Sequence, residues 1–283
     1  MRVSPNRRSV TSRIALSWAL AALVAAGCGT NYDDNPQPTD LSISGADLRR
    51  GALLWDSWWT VIGAPAPTDT FGLYTKTRGT QSGATTWRCQ ECHGWDYRGS
   101  QGAYATGPHV TGVAGVLDRV ASRTNQELYD VLKNGTPPAS GGSALTGTDH
   151  AFDVQLDNDE ILALVRFLRE GLVDTREVVA DDGRATGNAR EGAPLYAAAN
   201  SDPNVPVGQC GLCHGDDGKA LDMGDGSTPV FVGTAARSEP WRTLHQIRWG
   251  VPGTSMTSAI ERGITALADQ GDLLAYTQTL PAD

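Results

Sequence analysis

Apolar residues recur at helical spacing in several separate segments of the chain. Around 157–170 this spacing predicts an amphipathic helix, because four apolar residues share one face: Ile161, Leu164, Val165 and Leu168. Asp157, followed three residues later by Glu160, has the pattern of a helix N-terminus. A similar helix is predicted around 264–280, with apolar bulk from Leu273, Leu274 and Tyr276. We therefore expect an all-α protein with long connecting loops.

An earlier predicted helix carries three tryptophans at positions i, i+3 and i+4: Trp55, Trp58 and Trp59. These positions fall on one helical face, so packing is their expected role rather than the relay of electrons. The segment between Trp59 and Trp87 is rich in Thr, Gly and Pro, which predicts a surface loop.

The same order of sequence signals occurs twice. Each copy begins with a Gly-x-x-x-aromatic helix, from Gly51 to Trp55 and from Gly192 to Tyr196. A Cys-x-x-Cys-His motif follows, with a proline 15 residues and a glycine 19 residues after its histidine. Next comes a short helix ending in glycine, at 128–135 and 244–250, and then the closing helix. The repeat predicts two folding units of one kind.

The two Cys-x-x-Cys-His motifs are the chemical centre of the repeat. They comprise Cys89, Cys92 and His93 in the first copy, and Cys210, Cys213 and His214 in the second. Paired thiols at this spacing can add to the two vinyl groups of one haem, and the adjacent histidine then supplies an axial iron ligand. A thioredoxin-like site needs no following histidine. A zinc cage would pair the two motifs, which lie 121 residues apart. We expect two covalently bound haem c groups, each with its iron.

With these features the chain resembles class I cytochrome c domains. The resemblance implies two tandem domains of a few helices around one haem each, at 44–175 and 189–283, with a charged linker at 176–188. The second copy resembles the family closely over 192–280, except at Thr257, where a proline is common. In that family a proline-loop carbonyl accepts the N–H of the proximal histidine. The offset gives this role to Pro108 and Pro229.

The sixth iron ligand differs between the copies. In the second copy the resemblance implies Met256, 42 residues after His214, as the distal ligand. The first copy contains no methionine, so its candidates are His109 and His150. His150 lies before the closing helix, as Met256 does, behind an insertion at 136–149 that lengthens its loop. We expect His93/His150 ligation there. His109 would then be a loop residue, and the alternative is an open first iron.

The first 27 residues have the pattern of an export signal. Four arginines precede an apolar run from Ile14 to Ala26, whose 13 residues are too few to span a bilayer comfortably. The run ends at Cys28 in a sequence that resembles a bacterial lipobox, so we interpret residues 1–27 as a signal peptide and Cys28 as the lipidated residue. Residues 28–43 would form a flexible tether. The alternative is an ordinary signal peptide and an unmodified cysteine.

Lipidation implies a location and a mode of membrane attachment. We expect an exported protein on the periplasmic side or the cell surface, held by lipid to a membrane without a transmembrane helix in the mature chain. Gly29, rather than an aspartate, follows Cys28, which favours the outer membrane.

The net charge of the protein indicates which kinds of molecule it could bind. The full chain has a net charge of −9, and loss of the signal peptide leaves 19 basic and 32 acidic residues, a net charge of −13. No basic patch is evident, so nucleic acid is not an expected partner. An acidic surface suits redox partner proteins that present a basic face.

Together these features predict a dihaem cytochrome that transfers single electrons in a bacterial envelope. His/Met ligation raises the reduction potential, so electrons would pass from the first haem to the second. One alternative is a peroxidase-like enzyme with an open distal site at the first haem. Another is a cytochrome subunit of a larger respiratory or oxidoreductase complex. We expect an electron carrier rather than an enzyme.

Overall fold

The computed structural model describes residues 40–135, 150–197, 208–224 and 227–282, with only the backbone of Lys76. The predicted signal peptide, Cys28, most of the tether and the loop at 136–149 lie outside these ranges. The described residues are helical and contain no strand beyond two isolated bridges, Gly99 with Ala114 and Val179 with Ala185. The prediction of an all-α protein is therefore confirmed for this part of the chain.

The helices occur in the predicted order. In the first copy they are α1 (Leu48–Ile62), α2 (Cys89–His93), α3 (Leu117–Val120), α4 (Asn125–Asn134) and α5 (Asn158–Arg166), which continues as a π-helix over Phe167–Gly171. In the second copy they are α6 (Ala189–Tyr196), α7 (Cys210–His214), α8 (Val232–Ser238), α9 (Pro240–Trp249) and α10 (Leu267–Thr279). Short 3₁₀ turns lie at Tyr74–Lys76, Gly83–Trp87, Ala103–Ala105 and Thr175–Glu177.

The helix ends follow local sequence signals. Asp157 and Glu160 form the predicted capping box at the start of α5, with the side chain of each bonded to the backbone N–H of the other. The predicted glycine ends of α4 and α9 are also confirmed. Gly135 and Gly250 adopt φ values of +66° and +87°, which favour glycine over residues with a side chain.

The repeated Gly-x-x-x-aromatic pattern marks a helix crossing in each copy. A Cβ atom added to Gly51 of α1 would overlap the carbonyl of Ala163 in α5. A Cβ atom added to Gly192 of α6 would overlap the carbonyl of Asp272 in α10. Each copy therefore brings its first and last helices together where only glycine fits.

The tryptophans of α1 pack as predicted, but the segment after them does more than cover the surface. Trp55 and Trp58 are buried, and the Trp58 indole N–H donates to the Trp87 carbonyl at 3.2 Å. Phe71 and Tyr74 are also buried and belong to the first core. Most of the segment between Trp59 and Trp87 lies at the surface in loops and short 3₁₀ turns, as predicted, whereas Phe71 and Tyr74 fold inward.

The two copies contact each other directly. Residues from Asp40 on form one compact unit. Trp249, from α9 of the second copy, is buried in the core of the first. The predicted linker is also packed, because Val178, Val179 and Ala185 belong to the core of the second copy. No helix within the described ranges has the length and apolar character needed to cross a membrane.

Candidate haem-binding sites

Each Cys-x-x-Cys-His motif forms one short helix, and both helices end in the same way. Glycines with φ of +80° and +76°, Gly94 and Gly215, end α2 and α7. After the turn, the chain returns to the motif, where the His93 carbonyl accepts the Gly99 N–H at 2.7 Å and the His214 carbonyl accepts the Ala220 N–H at 2.9 Å. One helical turn places the two thiols three residues apart on the same side, with the histidine directly after them.

None of the four motif cysteines takes part in a disulfide bond within the described ranges. Burial raises the pKa of Cys89 and Cys92 to about 12 and that of Cys210 to about 11. Within the described ranges, no group of three or more His, Cys, Asp and Glu could form a bare-metal cage.

His93 has a defined tautomer. Its Nδ1 lies 3.0 Å from the Ala114 carbonyl oxygen, so Nδ1–H donates and Nε2 keeps its lone pair. Burial lowers the pKa of His93 to about 4, which keeps the ring neutral at physiological pH. A neutral imidazole with a free Nε2 is the form that binds a metal.

The accepting carbonyl is not the predicted one. Pro108 is exposed, and its carbonyl accepts the Thr80 hydroxyl at 3.3 Å. Ala114 takes its place because the bridge between Gly99 and Ala114 draws that strand-like segment against the turn that follows α2. The sequence offset identified the correct loop, but not the carbonyl within it.

The ring of His150 lies close to that of His93. The centroids of the two rings are 6.3 Å apart, the rings are inclined at 74°, and burial lowers the pKa of His150. With metal–nitrogen bonds of about 2.0 Å and about 1.1 Å from nitrogen to ring centre, two imidazoles sharing one ion would have centroids about 6.2 Å apart. The observed separation fits a single iron between the two rings.

A buried hydrogen-bond donor at this site has no acceptor in the described part of the chain. This donor is Trp55 Nε1, which is buried and has no hydrogen-bond partner within the described ranges. The Trp55 ring centroid lies 5.8 Å from that of His93. Two thiols, two neighbouring imidazoles and the unused buried donor of Trp55 together fit a covalently bound haem.

His109 belongs to a different cluster. Its Nδ1 lies 3.0 Å from a carboxylate oxygen of Glu91, and its ring stacks on Tyr104 with centroids 4.8 Å apart. The hydrogen bond to Glu91 raises the pKa of His109. Glu91 is itself buried and accepts the Tyr74 hydroxyl at 3.1 Å. Sequence analysis did not identify Glu91, because an acidic residue between the motif cysteines gives no local sign that it is buried.

The second motif and the chain just after Met256 are linked through Arg262, which donates to the Gln209 side chain at 2.6 Å and to the Thr257 hydroxyl at 3.2 Å. Burial lowers the pKa of His214, and its Nδ1 is buried without a hydrogen-bond partner among the described residues. The predicted bond to Pro229 is therefore not made, and Pro229 is exposed. Met256 is half-buried, and its backbone N–H donates to the Thr254 hydroxyl at 3.2 Å. Two thiols, one imidazole and a thioether would together make a donor set that suits haem iron.

His245 has a structural environment that excludes it as a ligand. Its Nδ1 accepts the Tyr97 hydroxyl at 2.9 Å, and its Nε2–H donates to the Ala52 carbonyl at 3.2 Å. Both ring nitrogens are thus used in bonds between the two copies. Burial lowers the pKa of His245 to about 4.

Comparison with known proteins locates one family match. The family model described as Cytochrome c matches residues 78–171, which include α2, His150 and α5. The match falls on the first copy, although sequence analysis found the closer resemblance in the second. No curated protein and no solved structure matches the chain. The family match supports a c-type cytochrome, a haem-containing electron-transfer protein with covalently bound haem c.

Proposed function

We propose that this protein is a dihaem c-type cytochrome that carries single electrons. Residues 44–175 and 189–283 each hold one haem, with 176–188 between them. The observation that carries this proposal is the neighbouring pair of His93 and His150. If His93 and His150 both held the iron, no position would stay open for substrate, which favours outer-sphere electron transfer.

The chain supplies attachment, orientation and ligand strength. Bound haem c supplies the redox-active iron. Cys89 and Cys92 hold the first haem through thioether bonds, and the Ala114 carbonyl fixes the orientation of His93 and increases its basicity. Cys210 and Cys213 hold the second haem.

The two sites differ in potential because their distal ligands differ. The first has His93 and His150, and the second has His214 and Met256. Replacement of one imidazole by a thioether raises the reduction potential. Electrons therefore run from the first haem to the second and leave from the second copy.

The same proposal covers location and partners. The protein is exported and anchored by lipid at Cys28, more specifically at the outer membrane. Two or more acyl chains give stable attachment, whereas one chain gives only marginal binding. The net charge of −13 in the mature chain favours redox partner proteins with a basic docking face. Cys28→Ala should leave the membrane fraction or retain an uncleaved signal peptide, and a fully soluble, unlipidated wild-type protein would contradict the anchor.

Counting haems tests the central claim. Mass spectrometry of protein made in a strain with haem-ligation machinery should show two haem additions. The double variant C210A/C213A should retain one haem, and C89A/C92A should retain the other. A single addition in the wild type would refute the dihaem proposal.

Spectroscopy separates the carrier from its competitors. A potentiometric titration followed by low-temperature paramagnetic resonance should show two low-spin ferric haems with different potentials. High-spin ferric haem at rest would instead indicate a peroxidase-like enzyme. Stable co-purification with an enzyme from membranes would indicate a subunit of a larger complex.

A further inference from the structure

The loop that presents Met256 is held by a residue of the other copy. We infer that Arg49, on α1 of the first copy, is a positioning residue for the distal ligand of the second haem. This inference rests on the proposed function, because that proposal makes Met256 the ligand.

One guanidinium joins both ends of the loop. Arg49 Nε donates to the Trp249 carbonyl at 3.0 Å, and Arg49 Nη2 donates to the Met256 carbonyl at 3.4 Å. Trp249 is the last residue of α9, and the loop that presents Met256 comprises the next seven residues, Gly250–Met256. Release of Arg49 would therefore free the ligand residue and the helix end from which its loop departs.

The contact has a physical reason at each end. The carbonyl of Trp249 lies at the C-terminus of α9, where carbonyls lack helical partners and the helix dipole is negative. A cationic donor at this position supplies the missing hydrogen bond and interacts favourably with the negative end of the helix dipole. Gly250 allows the approach, because a Cβ atom at this residue would lie 2.5 Å from the Met256 oxygen and 2.9 Å from Arg49 Nη2.

A second contact shows that the loop lies along α1. A Cβ atom added to Gly253, in the middle of the loop, would come within 2.6 Å of the Thr60 methyl carbon. Thr60 is on the same helix as Arg49, three turns further on. The loop thus contacts α1 at its middle as well as at its ends.

The ion pair of Arg49 with Glu261 is a lesser part of the arrangement. The two charged groups are 3.3 Å apart, but 35% and 49% of their side chains are exposed, and exposed pairs contribute little. Hydrogen bonds from a charged donor to two carbonyls contribute more. Arginine suits this site because its rigid fork can serve two acceptors at once, whereas lysine presents a single point charge.

The test measures how firmly Met256 stays on the iron of the full-length holoprotein. Added imidazole competes with a thioether ligand, and the thioether-to-ferric-iron charge-transfer band reports Met256 binding directly. In Arg49→Ala we expect the second haem to bind imidazole about tenfold more tightly than in the wild type, a change typical of lost hydrogen bonds to a charged group. The band should weaken, and the potential of the second haem should fall while that of the first stays constant.

Two further variants make the result specific. Arg49→Lys should restore part of the band, because an ammonium can still donate to one carbonyl. Arg50→Ala is the matched control, since neighbouring Arg50 pairs with Glu160 inside the first copy at 2.5 Å, and its side-chain hydrogen bond among the described residues is to Glu160 rather than to the loop. It should leave imidazole affinity unchanged. Should Arg49→Ala not fold, the lysine variant alone decides, with weaker retention of Met256 expected.

The possible results distinguish the role of Arg49 from the assignment of Met256 as the iron ligand. If the wild type lacks the charge-transfer band, Met256 is not the ligand, and both the ligand assignment and the role of Arg49 fail. If the band is present and imidazole affinity is equal in the wild type and the folded Arg49 variants, only the role of Arg49 is overturned. Equal effects in the Arg49 and Arg50 variants would also overturn it, because they would indicate general loosening of α1.

Discussion

Burial shifts the pKa values of His93 and His150 in the same direction. It lowers the pKa of each imidazole, to about 4 for His93, and so disfavours the proton that would compete with iron. His109, whose pKa is raised by its hydrogen bond to Glu91, has the opposite character. The pKa values of the two candidates for the distal position of the first haem are therefore shifted in opposite directions.

This difference predicts distinct effects of two alanine variants. His150→Ala should convert the first haem to a high-spin or externally ligated state, because its sixth ligand is removed. His109→Ala should leave both haems low-spin, since that ring contacts Glu91 and Tyr104 instead. Absorption and paramagnetic resonance spectra of the ferric proteins would check this. The reverse pattern would assign the distal role to His109.

Exchange of the distal ligand should shift a single potential. In Met256→His, imidazole replaces the thioether, and the potential of the second haem should fall by on the order of 0.1 V, a part of the roughly 0.8 V range that axial ligands span. The first haem serves as an internal control in the same redox titration. An unchanged potential for the second haem would argue against Met256 as its ligand.

At the scale of elements, the decisive feature is the crossing of the first and last helices in each copy. Gly51 meets the backbone of α5, and Gly192 meets the backbone of α10. A methyl group at either crossing would overlap a carbonyl, so the helices would have to separate. Because α1 also carries Trp55 next to His93, the crossing of α1 with α5 supports the first haem site.

Alanine at these glycines should therefore destabilise the fold despite the higher helix propensity of alanine. We expect Gly51→Ala and Gly192→Ala each to cost about 2–3 kcal/mol in the free energy of unfolding, as overpacked sites do. Gly45→Ala is a suitable control, because no atom lies within 4 Å of its added Cβ. Denaturant unfolding followed by circular dichroism would measure the three variants. A loss of less than about 0.5 kcal/mol at Gly51 would contradict the crossing.

At the scale of the whole molecule, the two copies are joined by a buried polar contact. The Tyr97 hydroxyl donates to His245, and His245 donates to the Ala52 carbonyl. Tyr97 and His245 are each only 1% exposed. A neutral imidazole satisfies both partners, because it has one acceptor and one donor nitrogen. Protonation of His245 would leave the Tyr97 hydroxyl facing a second donor.

Acid should therefore weaken the fold through His245. Its folded pKa of about 4 lies below the ordinary value of 6.5, because burial disfavours the charged ring. Above pH 6.5 the ring is neutral in both states, and its contribution to stability is fully present. As the pH falls from 6.5 to 4, the unfolded chain takes up a proton that the fold excludes, and on the order of 3 kcal/mol is lost.

The non-titrating variant His245→Gln isolates this contribution. Its free energy of unfolding should fall less than that of the wild type between pH 7 and pH 4.5, as measured by denaturant unfolding at each pH. Parallel pH profiles for the two proteins would show that His245 does not cause the acid sensitivity.

The sequence by itself determined what depends on near neighbours along the chain. Helix periodicity predicted α5 and α10, the Asp157–Glu160 spacing predicted a capping box, and the glycines at 135 and 250 predicted helix ends. The repeated motif identified the paired thiols and their histidines. Each of these features depends on residues within one or two turns, whose geometry a local pattern specifies.

The tertiary structure decided which distant groups meet. Only the path of the loop selects Ala114 rather than Pro108 as the partner of His93, because both offer the same carbonyl. The contacts of Arg49 with Trp249 and Met256 span about 200 positions in sequence. Backbone carbonyls are chemically alike along the whole chain, so no sequence pattern marks the one that a distant side chain will reach; only the packing of the two copies against each other does.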